Sequence, residues 1–183
     1  MEYADQSPAW AAFAQGDIKV QPATLPETAV VAAILREAAV WLEQRGMPLW
    51  QSSAFEPDRL VADVVGGQYM LARWHGEPAG VFKYQREDPE IWPDAVPGEA
   101  AYIHRVAICR RYAGSGLAAV LLHAAATRAQ RHGYRYLRLD CEAARPRLRA
   151  VYERCGFSYH SDHALGAFCL ARYQLMLPLT TER

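Results

Sequence analysis

The chain has 183 residues, 51% of them apolar, which is enough to bury one substantial core, and a single domain spanning 1–183 is expected. Twenty basic residues balance twenty acidic ones with no long run of either sign, which argues against a nucleic-acid track or a membrane surface and for a small ligand. Cys109, Cys141, Cys155 and Cys169 form no CxxC pair, the N-terminus lacks a signal pattern, and no apolar run approaches the roughly 18 residues of a membrane span. A reduced, cytoplasmic protein without a metal site is expected.

Residues 1–15 are polar and expected to be flexible, and "GDIKVQPAT" (16–24) reads as a short edge strand. "PETAVVAAILREAAVWLEQRG" predicts a helix, with Val30, Ala33, Ile34, Ala38, Trp41 and Leu42 at steps of three and four and Gly46 at its C-terminus. A second, shorter helix falls within 48–65, and "QYMLARW" and "PAGVFKYQR" predict a hairpin turning at His75-Gly76-Glu77. The acidic, proline-rich stretch 87–100 predicts a long loop, a kind that often carries function. After it come a strand at 101–108, a helix from Leu117 to His132, a strand at 134–141, a helix from Pro146 to Cys155 and a long final strand at 166–178.

Chemistry concentrates at "RRYAGSGLAAVLLHAAA" (110–126), where Gly114 and Gly116 precede a strong helix former. A helix N-terminus leaves about four backbone N–H groups unpaired and attracts phosphate, and glycines let a ligand approach that backbone. Gly114-x-Gly116-x-x-Ala119, with Asp140 further on, also satisfies the letters of a dinucleotide fingerprint. Against an NAD-binding protein, residues 109–113 separate the strand from the first glycine, and only 67 residues follow Gly116.

The stretch 101–160, with "RVAI", the basic glycine turn, "LDC" and "RLRAVYERCGF" in order, resembles the GNAT superfamily of acyl-CoA-dependent N-acetyltransferases. "WLEQRGMPLW" (41–50) extends the likeness over most of the chain. The resemblance implies an α/β (α+β) fold: a mixed, mostly antiparallel sheet, helices on both faces and splayed central strands. It also implies acetyl-CoA as cosubstrate and direct transfer of its acetyl group to a primary amine of a small molecule or peptide. In the family a turn of pattern R/Q-x-x-G-x-G/A binds the diphosphate. Arg111, Gly114 and Gly116 satisfy its letters, while counting from Ile108 places Ala113, Gly116 and Ala118 there; the second register is preferred. The amides of Ala113, Gly114, Ser115, Gly116, Leu117 and Ala118 would hold the diphosphate, with Arg110 and Arg111 either assisting or simply solvated.

By the same resemblance the backbone of Val106, Ala107 and Ile108 would bind the pantetheine arm. Arg145 takes the place of a cofactor-binding Asn, and Tyr152 that of the general acid. His104 is a candidate base, directly or through water, or else a core histidine; Asp140 caps or pairs, and Cys141 is read as a small buried residue. The acceptor site is expected near Trp50 and Gln51, strand 81–86 and loop 87–100, where Glu87, Asp88, Glu90 and Asp94 would attract a cation. A non-catalytic acyl-CoA sensor is the alternative, and homodimerisation stays open.

Overall fold

The computed structural model describes residues 18–178, so the expected flexible start at 1–15 lies outside the described residues. The strands are β1 (Ile18–Pro22), β2 (Tyr69–Trp74), β3 (Glu77–Gln85), β4 (Ala100–Ile108), β5 (Tyr136–Glu142), β6 (Ser158–Leu165) and β7 (Phe168–Met176). They form a seven-stranded sheet in the order β1-β2-β3-β4-β5-β7-β6, antiparallel except where β4 meets β5. The helices are α1 (Thr28–Glu43), α2 (Pro57–Val65), α3 (Leu117–Arg131) and α4 (Pro146–Arg154). A mostly antiparallel sheet is not a doubly wound dinucleotide fold, so the fingerprint letters at Gly114 serve another purpose.

Two cores lie on opposite faces of the sheet. Alternation along β2 sends Tyr69 and Leu71 to the face covered by α1 and α2, and Met70 and Ala72 to the face covered by α3 and α4. The buried stripe of α1 is Val31, Ala32, Ile34, Leu35 and Ala39. It is rotated from the expected one: Ala33 is exposed, while Ala38, Trp41 and Leu42 are half-buried and face a cavity. Gly80 permits the close packing of α3, because a Cβ there would stand 2.9 Å from the Ala107 carbonyl oxygen and 3.1 Å from Leu121 Cδ1.

The β2–β3 turn is tighter than expected. His75 and Gly76 alone bridge the strands with φ of 49° and 85°, the primed geometry that matches strand twist. The C-terminal region departs further from expectation. Residues 158–165 form β6, and the final strand is shortened to Phe168–Met176, joined to β6 through Gly166. β6 lies at the sheet edge and alternates only between exposed and half-buried positions, so it has no apolar face to announce it.

Candidate active site

β4 and β5 start together and then separate. Their parallel pairing covers only Ala100↔Tyr136, Ala101↔Leu137 and Tyr102↔Arg138, while β5 pairs on its far side with β7 along its whole length. The Cys109 amide donates to the Ala79 carbonyl on β3 at 2.9 Å. Successive amides of an extended strand alternate, so those of Ile108 and Val106 turn toward the gap. A cavity of about 860 Å³ runs through this opening. Its lining comes from two sets of elements, taken as its two arms: α3, β5 and α4 supply Ala118, Leu122, Cys141, Val151 and Tyr152, while α1 and the segment after it, β3, the 87–100 loop and β4 supply Trp41, Trp50, Lys83, Asp88 and Arg105.

The first arm leads to the mouth of α3. Gly114 and Gly116 have φ of 78° and 89°, values few residues but glycine adopt. The Ala113 amide donates to Arg110, the Ser115 amide to Tyr112, and the Leu117 amide to the Ser115 hydroxyl at 3.3 Å. The amides of Gly114, Gly116 and Ala118 have no partner among the described residues, so alternate amides of the expected set are free for an anion. The Leu117 side chain is fully buried in the core. Arg111 donates to the Pro78 carbonyl at 2.8 Å, and the Arg110 guanidinium carbon lies 3.7 Å from the Trp41 ring centroid. Arg145 is bound to Glu142 at 2.5 Å and to the Met47 carbonyl at 3.1 Å, fastening the segment after α1 to the start of α4.

Tyr152 is 8% exposed and reaches the cavity from α4. Burial pushes its phenol well above the ordinary range, and neighbouring Cys141 and Asp140 act in the same direction. Burial also pushes the Cys141 thiol up to about 11, with Asp140 contributing. A thiol so rarely ionised is a weak nucleophile, in keeping with its reading as a small buried residue.

His104 lines the same cavity and is flanked by two carboxylates. Its Nδ1 is 3.4 Å from Asp140 on β5, and its Nε2 is 3.3 Å from Asp88 in the 87–100 loop. Burial by itself lowers the imidazole pKa, but Asp140 and then Asp88 outweigh it and lift the value from 6.5 to about 9. Raised in this way, the ring favours its charged form at neutral pH and gains basicity only toward pH 9. The ligand atoms of all three groups fall within 4.8 Å, yet each carboxylate faces a different ring nitrogen.

Two further features lay beyond sequence reasoning. Between Val81↔Ala107 and Lys83↔His104 the register shifts, so Phe82 opposes both Arg105 and Val106. Arg105 holds φ of 53°, a conformation costing a non-glycine residue about 1–3 kcal/mol. The resulting bulge places His104 and Arg105 on the same face, where unbroken alternation would send them to opposite faces. The second feature is the loop, which is packed rather than loose. Asp88 Oδ1 accepts the Ile91 amide at 3.2 Å, and Trp92 lies buried with the Arg138 and Arg172 guanidinium carbons each 4.8 Å from its centroid. Asp94 is held by Arg172 at 2.6 Å, so it is spent on anchoring. Gln51 does not line the cavity, whereas Trp50 does.

The model of the acetyltransferase (GNAT) family matches residues 33–157. The chain belongs to that family. GNAT acetyltransferases take their acetyl group from acetyl-CoA. The uncharacterized N-acetyltransferase YesJ of Bacillus subtilis (strain 168) is 29% identical over 153 residues, covering 79% of this chain and 84% of its own. A GNAT-family acetyltransferase from Listeria monocytogenes superposes with a TM-score of 0.71 at 22% identity, covering 86% of this chain and 95% of its own. The PaiA N-acetyltransferase of Thermoplasma acidophilum, solved with coenzyme A, gives 0.65 at 13% identity, covering 85% and 97%. No helix among the described residues of this GNAT chain is long and apolar enough to cross a membrane.

Proposed function

We propose that this chain moves an acetyl group from acetyl-CoA directly to a primary amine. The observation that carries the proposal is the separation of β4 from β5, which opens strand-edge donors onto a cavity lined from both faces of the sheet. Acetyl-CoA supplies an activated acetyl group and a thiol leaving group. The amides of Gly114, Gly116 and Ala118 hold the diphosphate, while those of Val106 and Ile108 face the position where negative charge develops on the acyl oxygen. Donors placed in that way are each worth about 100- to 1000-fold in rate.

Tyr152 stays protonated at every physiological pH and holds a proton for the departing sulfur, a contribution of about 100- to 10,000-fold. On the other arm an ammonium of pKa about 10.4 has to lose its proton before it can attack. The carboxylates of Asp88 and Asp140 attract the cation, and His104 becomes able to accept a proton as pH approaches 9. A lining drawn from both faces of the sheet favours direct transfer, and a buried Cys141 with a raised pKa disfavours an acyl-enzyme.

Thiol release from acetyl-CoA with a panel of amines tests the proposal, and Tyr152→Phe should lower kcat at least tenfold. Tight acetyl-CoA binding with no amine supporting turnover would overturn it in favour of an acyl-CoA sensor. That second reading draws on Ala113, whose methyl group stands where the resemblance calls for an Arg or Gln side chain.

A further inference from the structure

The acceptor arm has two poles. Asp88 and Asp140 flank the single ring of His104, so the array keeps a net negative charge even with that ring protonated, and Glu87 and Glu90 add carboxylates at the rim. Of the cations beside it, Lys83 is neutralised by Asp63 at 2.8 Å. Arg105 has no carboxylate partner among the described residues. Its Nη1 donates to the Tyr69 hydroxyl at 2.7 Å, and its guanidinium carbon lies 5.3 Å from the Phe55 ring centroid. Tyr69 and Phe55 are almost fully buried, so they fix the guanidinium in place. Nη2 and Nε remain as donors in a residue that lines the cavity.

The bulge in β4 gives this placement its meaning. It puts a fixed cation and the acid-flanked imidazolium on consecutive residues of the same face, at the price of a left-handed Arg105. Adjacent Cα atoms are about 3.8 Å apart, so the two poles spring from backbone no further apart than the ends of a small molecule. Trp41, Trp50, Ile91 and Phe168 add apolar lining to the same cavity. An acceptor bearing only an ammonium would leave the guanidinium without a counter-charge and would be repelled by it.

We infer that the acceptor is zwitterionic: a free amino acid with an apolar side chain, its carboxylate on the Arg105 fork and its ammonium against Asp88 and Asp140. The inference rests on the acetyltransferase reading and names the substrate class for it. Planar guanidinium forks match carboxylates in two-point contact, which a lysine ammonium does not reproduce.

The test uses leucine, methionine and phenylalanine, each beside its amide and its decarboxylated amine. Two readouts are taken: thiol release from acetyl-CoA, and calorimetric binding in the presence of coenzyme A. The free acids should exceed the amides at least tenfold in kcat/KM and in affinity. In Arg105→Met, which retains a long apolar stem against Phe55, that ratio should fall toward one; Arg105→Lys should fall between. A melting shift with acetyl-CoA verifies that each variant is folded, and the wild-type panel stands even if neither variant is. Amides or decarboxylated amines that match the acids in both readouts overturn the zwitterion and leave the acetyltransferase intact. Turnover of no amine at all overturns the acetyltransferase, and calorimetry then decides the anion site alone: selectivity for acids keeps it, equal binding removes it.

Discussion

Replacing His104 by Gln tests the charge state on which the acceptor side depends. Asp88 comes from the loop, Asp140 from β5, and Lys83, paired with Asp63, is the register partner of His104 on β3. A rise in the imidazole pKa from 6.5 to about 9, at about 1.4 kcal/mol per pH unit, means about 3 kcal/mol in favour of the charged ring in the folded protein. The folded pKa is raised above the unfolded one, so this stabilisation is present in full below about pH 6.5 and is lost as pH climbs through 9. Urea unfolding of wild type and His104→Gln from about pH 6 to about pH 10 isolates it, because every other titrating group is common to both proteins. The advantage of wild type should shrink by about 3 kcal/mol across that interval. A gap constant within about 0.5 kcal/mol would show that the ring is not held as an imidazolium. In the enzyme, kcat/KM should climb through the same region near pH 9, and the variant should lose that limb.

Gly116→Ala should weaken acetyl-CoA binding at least tenfold by calorimetry. Gly133→Ala provides the control, since Gly133 ends the same helix with φ of 78° and bears a similar left-handed strain of about 1–2 kcal/mol without touching the anion cradle. Equal losses of affinity in both variants would reduce Gly116 to a geometric device. Cys141→Ala should keep turnover within about threefold, as expected for a thiol raised to about 11; a loss of two orders of magnitude would indicate an acyl-enzyme. Coenzyme A should raise the melting temperature and NAD should not, a contrast read directly by thermal shift.

The parts legible in the sequence are those made by neighbours along the chain. Gly46 past α1, the His75-Gly76 turn, Pro146 opening α4 and the glycines before α3 each impose a local conformation, and each sits where expected. β6 was hidden because a strand at the sheet edge needs no apolar alternation, and "SYHSDHAL" has none. The bulge at Arg105 has no signal either, since the left-handed residue is neither Gly nor Asn and nothing nearby marks the register shift. His104 is separated by 16 residues from Asp88 and by 36 from Asp140, and only the β4–β5 geometry and the folded loop bring the three together. Trp92 could have hinted that the loop was anchored, as a large aromatic residue in an acidic, proline-rich stretch is costly to leave in water.

The division between legible and hidden follows the division of labour in the cavity. The cofactor arm is made of backbone: amides at a helix mouth and amides on an unpaired strand edge, both set by a glycine turn and by where pairing stops. Such donors keep their chemistry whatever side chains surround them, so the turn alone announces them. The acceptor arm is made of side chains from α1, β3, β4, β5 and the 87–100 loop, and its charges acquire meaning only from what stands opposite. Changes at Arg105, Asp88 or Trp50 can therefore redirect the acceptor while the amides of Gly116 and Ile108 continue to present the same donors. A carboxylate placed at 105 in place of the guanidinium would invert the pole beside His104, and selection between acids and amides should invert with it, at unchanged geometry on the cofactor side.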